Sequence, residues 1–103
     1  MNIRPTQHSD LSQLSFIWYE RIALLQQSDS YFTPLPDAMQ VWQEQAALWI
    51  NDEQRCFLAA EHNDRLIGYI CVSIVDGPIG LQPRQLGNIV DIGVDLHQSH
   101  RSL

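Results

Sequence analysis

Residues 55–75 constrain the fold of this chain more than any other segment, because they read as two strands joined by a tight turn. The strands are RCFLAAEH (55–62) and LIGYICVSIV (66–75). Asn63 and Asp64, which separate them, are residue types that accept the backbone angles of a two-residue hairpin turn. We therefore predict an antiparallel hairpin over residues 55–75.

The second of these strands is apolar on both faces. A strand of this kind lies centrally in a sheet whose two sides are both covered. Strict alternation places Leu66, Ile70, Val72 and Ile74 on one face and Ile67, Tyr69, Cys71 and Val75 on the other. The sheet therefore needs a cover on each side.

Two helices are predicted to cover one side. Apolar residues at spacings of three and four predict a helix over about 10–27, with Ser9 as its N-cap and Asp10 in its first turn. A second helix is predicted over about 37–52, after Pro36. The apolar stripes are Leu11, Leu14, Trp18, Ile22 and Leu25 on the first helix, and Ala38, Val41, Trp42, Gln45, Leu48 and Trp49 on the second.

The rest of the chain adds two strands. Residues 2–7 and 88–95 are each predicted as a strand, and the glycine- and proline-rich residues 76–87 as a long connection. The predicted class is α+β, in the order β-α-α-β-β-β, with an antiparallel sheet of about four strands and two helices. Because no segment remains for the second sheet face, either a second chain covers it or residues 1–103 form a single partial domain.

Composition excludes several classes of function. The net charge is −6, lysine is absent and the six arginines are scattered, which argues against a nucleic-acid surface. The sequence shows neither an apolar signal-peptide core nor a run of about 20 apolar residues, so we predict a cytoplasmic protein without a membrane partner. Cys56 and Cys71 lack metal-ligand spacing, and Cys71 reads as a buried thiol. His97 and His100 have no evident further ligands, so no metal site is predicted.

Three segments, taken in order, carry a family resemblance. NIRPTQHSDLSQL opens the chain, and FLAAEHNDRLIGYICVSI contains Leu58-Ala59-Ala60-Glu61 followed by Asp64-Arg65-Leu66-Ile67-Gly68-Tyr69. NIVDIGVDLHQSHRSL (88–103) follows the long connection. Together they resemble the first strand, the second and third strands, and the fourth strand of the GCN5-related N-acetyltransferase (GNAT) superfamily. The resemblance covers nearly the whole chain and implies the N-terminal half of an acyl-CoA N-acyltransferase fold.

The resemblance implies acetyl-CoA as the co-substrate. Its pantetheine arm would lie against Ile92, Gly93 and Val94 like an extra strand, and a backbone N–H there would stabilise an oxyanion. Gly93 also has a simpler interpretation, in which it only permits close packing. Arg101, Ser102 and Leu103 would be the first three positions of the pyrophosphate loop, whose glycines would follow. The resemblance thus implies truncation at the start of that loop, and an isolated chain that is inactive.

The general base is left open between several residues. In relatives that acetylate lysine it is often a Glu, and the matching position here is Asn88, which cannot act as a base at neutral pH. Asp91 and Asp95 are nearby alternatives, and Asp91 shares a strand face with Gly93 by period two. A carboxylate among Ile and Val is either catalytic or paired with an arginine at the end of the sheet.

Acceptor recognition in the family draws on the loop between the first two helices. Tyr31 and Phe32 lie in that loop and either bind the acceptor or anchor the loop in the core. The predicted function is therefore the N-terminal part of an enzyme that acetylates an amine of unknown identity. The alternative is a non-catalytic α+β interaction module, and in either case the exposed last strand or sheet face is expected to form a homodimer.

Overall fold

The computed structural model describes residues 1–77, 80 and 85–96, which form one antiparallel sheet with two helices packed on one of its faces. The strands are β1 (Asn2–Pro5), β2 (Arg55–His62), β3 (Arg65–Asp76) and β4 (Gln85–Val94). They lie side by side in the order β1-β2-β3-β4, and each neighbouring pair is antiparallel. The α+β class and the element order are therefore confirmed.

The two helices are α1 (Leu11–Gln26) and α2 (Ala38–Ile50), each within two residues of its predicted bounds. Ser9 is not the N-cap of α1, because a single 3₁₀ turn over His8–Asp10 precedes that helix. Asp10 stands at its start and accepts hydrogen bonds from the amide of Gln7 and from the guanidinium of Arg4. This carboxylate ties β1 to the beginning of α1.

The β2–β3 hairpin turns at Asn63 and Asp64, as predicted. Their φ angles are 52° and 63°, the left-handed region that this two-residue turn requires. The strands on either side of the long connection both extend further into it than predicted, since β3 reaches Asp76 and β4 begins at Gln85. Residues 78, 79 and 81–84 of that connection lie outside the described part of the chain.

Two register shifts, one in β3 and one in β4, decide which side chains face the helices. Ala60 pairs with Gly68 but Glu61 pairs with Leu66, so Ile67 is an extra residue in the pairing with β2. Leu66 therefore joins Tyr69 and Cys71 in the core under the helices, and the strict alternation predicted for β3 is wrong at this point. In β4, Val90 is the extra residue in the pairing with β3.

The core lies between the helices and one face of the sheet. Cys71 is fully buried there, as predicted, and burial raises the pKa of its thiol. On α1, Ile17 is buried in the core although it was outside the predicted stripe, and Leu25 of that stripe is exposed. On α2, Ala46 is buried in the core, whereas Val41 and Leu48 of the predicted stripe are exposed. The main aromatic members are Trp42, Trp49, Phe57 and Tyr69.

The opposite sheet face carries no helix within residues 1–77, 80 and 85–96. It presents a shallow apolar hollow of about 380 Å³, bordered by side chains of all four strands. Among them are Ile3, Leu58, Ile70, Ile92 and Val94. In the described chain, neither helix has the length and apolar character needed to cross a membrane.

Candidate active site

Ile92, Gly93 and Val94 lie near the end of β4, whose outer edge is open within the described residues. The amide of Asp95 donates to the carbonyl of Ile67 across 2.8 Å, so Asp95 points inward to β3. Inward and outward residues alternate along an antiparallel ladder. The backbone N–H and C=O of Ile92 and Val94 therefore point outward. The carbonyl of Ile92 accepts from the guanidinium of Arg21, so the N–H of Ile92 and both groups of Val94 are the ones that an extended ligand can pair with.

Position 93 must be a glycine, because the ring of Tyr69 on β3 leaves no room for a side chain there. A Cβ atom at this position would lie 2.5 Å from Cε1 of Tyr69, closer than non-bonded atoms approach. A Cβ at Gly68 would likewise lie 2.9 Å from the carbonyl oxygen of Gly93. Close packing thus accounts for Gly93, and it does so without excluding the approach of a ligand from the outer edge.

Asp91 lies on the helix side of β4, on the same face as Gly93. Its Oδ2 accepts a hydrogen bond from the indole Nε1 of Trp42 at 2.8 Å. Trp42 is buried and packs edge-on against Tyr69, with 5.3 Å between the ring centroids. The carboxylate is therefore held by a side chain of α2, and no arginine of the described residues forms an ion pair with it.

Tyr69 brings a phenol close to this carboxylate. Burial, followed by the negative charge of Asp91, raises the pKa of Tyr69 far above its usual value, so its hydroxyl stays protonated at neutral pH. Among the described residues this hydroxyl has no hydrogen-bond partner within good geometry. Asp91 and Tyr69 thus place a carboxylate and a protonated phenol on the same sheet face, on neighbouring strands.

Arg21 completes the cluster, and sequence reasoning missed it. Its guanidinium reaches from α1 and donates to the outward carbonyl of Ile92. Its positive charge also lowers the pKa of Tyr69, against the larger effects that raise it. In the sequence, Arg21 could be recognised only by its position: it lies three residues after Trp18, next to the apolar stripe of α1.

The other candidate bases are placed apart from this cluster. Asp95 is buried and pairs with Arg65 at 3.2 Å, so the ion pair with an arginine at the end of the sheet is found at Asp95. Asn88 is exposed and pairs with Ser73 in the ladder. Because Val90 is an extra residue, the register puts Asn88 on the same face as Asp91, where plain alternation would have put it on the opposite one.

Tyr31 and Phe32 lie in a short 3₁₀ turn between the helices, and their rings meet edge to face at 5.3 Å. Tyr31 is 84% exposed, so it does not anchor the loop in the core, whereas Phe32 is half-buried. Both line a cavity of about 430 Å³ between α1, α2 and the connecting loop, which we call the α1–α2 cavity. Trp42 forms part of its wall and so connects it to Asp91.

Arg101, Ser102 and Leu103, predicted to open the pyrophosphate loop, lie outside the described residues, as do His97 and His100. Within the described residues, no group of three or more His, Cys, Asp or Glu side chains is arranged to hold a metal ion. The site is therefore described by β4, α1, α2 and the loop between the helices.

Comparison with known proteins gives a family match. The model of the acetyltransferase (GNAT) family matches residues 17–102, which is most of the chain. A search of curated proteins found no match. The matched range includes the whole of β4 and the cluster around Asp91.

Solved structures share the fold at low sequence identity. The tetramutant of the BH1408 protein of Bacillus halodurans superposes with a TM-score of 0.77 at 14% identity, over 95% of this chain and 64% of that one. An aminoglycoside 6′-N-acetyltransferase of Acinetobacter haemolyticus gives 0.68 at 14%, over 99% and 62%. A predicted acetyltransferase of Clostridium acetobutylicum, solved with acetyl-CoA, gives 0.61 at 17%, over 99% and 64%. The chain thus spans less than two thirds of the length of these relatives.

Proposed function

Since the chain belongs to the GNAT acetyltransferase family, we propose that it forms the N-terminal part of an enzyme that transfers an acetyl group from acetyl-CoA to an amine. The observation that carries this proposal is the outward direction of the backbone groups of Ile92 and Val94 at the edge of β4. The amides of a pantetheine arm are complementary to such an edge, since each offers one donor and one acceptor. Acetyl-CoA itself supplies a thioester that is activated for attack by an amine.

Two groups of this chain serve the transfer. An outward N–H of β4 donates to the oxygen on which negative charge develops during attack. Asp91 receives the proton that the attacking amine must lose, because it is a carboxylate on the face of Gly93 and is oriented by Trp42. Asn88 lacks the basicity for this step.

Cofactor contact is tested by following backbone amides by NMR while acetyl-CoA is added. We expect the amides of Ile92 and Val94 to shift, whereas adenosine 3′,5′-bisphosphate, which lacks the arm, should leave them in place. Val94→Pro removes one outward donor at an edge position that tolerates proline, and should weaken binding several-fold. Val94→Ala keeps the donor and is the matched control.

We expect the backbone groups of β4 by themselves to hold acetyl-CoA only at about millimolar concentration, because each hydrogen bond that replaces one to water contributes only about 1 kcal/mol. Micromolar binding measured by calorimetry would contradict that part of the proposal. If the amide NMR signals of Ile92 and Val94 do not shift at saturating acetyl-CoA, the proposed cofactor site is wrong.

Proton transfer is tested in the complete protein by measuring the thiol released from acetyl-CoA. Asp91→Asn should lower kcat by roughly 100-fold, in line with loss of a general base. The control is Asp64→Asn, at the exposed hairpin turn, which should keep full activity. Equal rates for the two variants would remove Asp91 from the mechanism.

The open sheet face favours self-association as a second candidate function. Ile3, Ile92 and Val94 expose apolar surface around a hollow of about 380 Å³, and the edge of β4 continues that surface. A second copy of the chain can cover both. Sedimentation velocity should show a concentration-dependent dimer that Ile3→Asp weakens and Leu48→Asp, on the exposed side of α2, does not. A monomer at several hundred micromolar would exclude this function.

A further inference from the structure

Arg21 is an arginine whose charge has no acidic partner. Of the four arginines among the described residues, Arg4, Arg55 and Arg65 each form an ion pair with a carboxylate. Arg21 does not, and its guanidinium donates instead to the neutral carbonyl of Ile92. The chain has a net charge of −6, so acidic side chains are plentiful. A cation left without one at the edge of the candidate active site indicates a binding group for an anion.

The contact with Ile92 holds the guanidinium in place without neutralising it. The carbonyl oxygen carries no formal charge and accepts from one nitrogen of the guanidinium, so the other N–H groups of Arg21 are left for a ligand. The side chain is exposed, and a ligand can therefore reach it. The planar guanidinium matches the two oxygens of a carboxylate, which makes that group its preferred partner.

A negative group of the chain lies one residue away along β4. Asp91 is half-buried, and the hydrogen bond from Trp42 occupies one of its two oxygens, Oδ2, which leaves Oδ1 to accept from a ligand. The charges of Asp91 and Arg21 both act on the same phenol, since the first raises the pKa of Tyr69 and the second lowers it. In the described part of the chain, these two groups do not form an ion pair with each other. This edge of β4 therefore presents one negative and one positive group that are close but unpaired.

We propose that Arg21 binds a carboxylate of the acceptor, and that the acceptor is an amino acid whose amine lies at Asp91. The inference rests on the acetyl-transfer function proposed above and names its substrate class. Ile92 directly follows Asp91, and one residue advances a strand by about 3.4 Å. An amine and a carboxylate carried on the same or on adjacent carbon atoms can therefore reach both groups.

The product of this reaction would be an N-acetyl amino acid. The neutral amine attacks the carbonyl carbon of the thioester, so that an N–C bond forms and the C–S bond breaks. The thiolate of coenzyme A leaves, and Asp91 takes the proton that the amine loses. Arg21 keeps the carboxylate of the amino acid in place during these steps.

The phosphates of acetyl-CoA do not supply the anion for Arg21. In the proposed cofactor site, the pantetheine arm pairs with the N–H of Ile92 and with Val94, and the thioester is its uncharged end beside Gly93. The arm separates this end from the phosphates. The anion that Arg21 binds therefore belongs to the acceptor.

The test is binding of amino acids to the 103-residue chain, followed through the amide NMR signals of Ile92 and Gly93. The probes are glycine, L-leucine and L-phenylalanine, each compared with its own amide, which keeps the amine and the side chain but lacks the negative charge. At about pH 6 the amines are protonated in both compounds of a pair. At least one amino acid should bind about fivefold more tightly than its amide, the size expected for an exposed ion pair. Equal affinities within every pair, or no shift by any amino acid up to about 20 mM, would overturn the inference.

Variants of two arginines locate the binding. Arg21→Gln should make the affinities for an amino acid and its amide equal, whereas Arg21→Lys should retain part of the preference, because lysine keeps the charge without the planar fork. The control Arg55→Gln removes a positive charge that is paired with Asp52, and it should leave the preference unchanged. A preference that survives in Arg21→Gln would contradict the role of Arg21. The comparison of amino acid and amide in the wild type needs no variant, so it decides the question even where a variant does not fold.

The outcomes also separate this inference from the function on which it rests. Binding of an amino acid that depends on Arg21, without release of thiol from acetyl-CoA by the complete protein, would support the carboxylate site and contradict acetyl transfer. Release of thiol with amino acid amides at a kcat/KM equal to or above that of the amino acids would support acetyl transfer and contradict the inference.

Discussion

At the scale of single residues, the site depends on the close packing of Gly93 against the ring of Tyr69. Gly93 has no side chain where the ring of Tyr69 packs, and atoms of that ring would lie 2.5 to 3.1 Å from an added Cβ. Tyr69 is in turn held between Trp42 and Phe57, so its ring has little room to move. The backbone of β4 is thereby fixed at the point where its outward groups are needed.

We predict that Gly93→Ala destabilises the protein by about 2 kcal/mol, the usual cost of overpacking a filled site. The same change should cost less than about 0.5 kcal/mol in a Tyr69→Leu background, because the colliding ring atoms are gone. Tyr69→Phe retains those atoms and should not relieve the cost. Urea unfolding of the wild type, the three single variants and the two double variants measures these differences, and additive effects in the Tyr69→Leu background would show that the collision is not the cause.

At the scale of elements, the sequence predicts most of what alternation and helical spacing can encode. The hairpin at Asn63-Asp64 and both helices were predictable, because turn chemistry and apolar periodicity are local properties. The extra residues Ile67 and Val90 were not, because a bulge is fixed by the pairing of two strands rather than by either strand alone. The same holds for Arg21, whose partner on β4 is remote in sequence.

The buried faces of the helices were predicted only in part, because burial also depends on contacts with other elements. Both helices carry more apolar residues than the sheet can cover, so spacing alone does not decide which of them are buried. Val41 and Leu48 fit the stripe of α2 by period and are exposed, whereas the smaller Ala46 is fully buried. Small residues are selected where a helix approaches its neighbours closely, and this depends on tertiary distance.

At the scale of the whole molecule, the ion pair between Arg4 and Asp10 links the first strand to the first helix. Their side chains meet through two hydrogen bonds of 2.7 and 2.9 Å, and Arg4 also reaches Glu61 on β2. The bond from Arg4 lowers the pKa of Asp10 below its ordinary value of 3.8, with a further contribution from the amide of Gln7. The folded state therefore favours the ionised carboxylate.

We predict that this pair makes stability fall in acid. A carboxyl group whose pKa is lower in the folded state stabilises the fold fully above about pH 5, and this contribution is lost as the pH falls below the unfolded-state value. Asp10→Asn should cost about 2 kcal/mol at pH 7 and less at pH 3, which lies below the unfolded-state pKa. Thermal unfolding at both pH values tests this, with Asp64→Asn as a control that should match the wild type. A cost for Asp10→Asn that does not change with pH would contradict the role of its charge.

The extra residue in β4 has a consequence for changes in chain length. Val90 is the residue without a partner on β3, and β4 resumes regular pairing on both sides of it. Loss of one residue elsewhere in a strand turns every side chain beyond that point to the opposite face. Loss of Val90 would leave Ile89 on the open face and Asp91 on the helix face, so both halves of the strand would keep their neighbours. Position 90 is thus where β4 can be shortened without inverting its pattern.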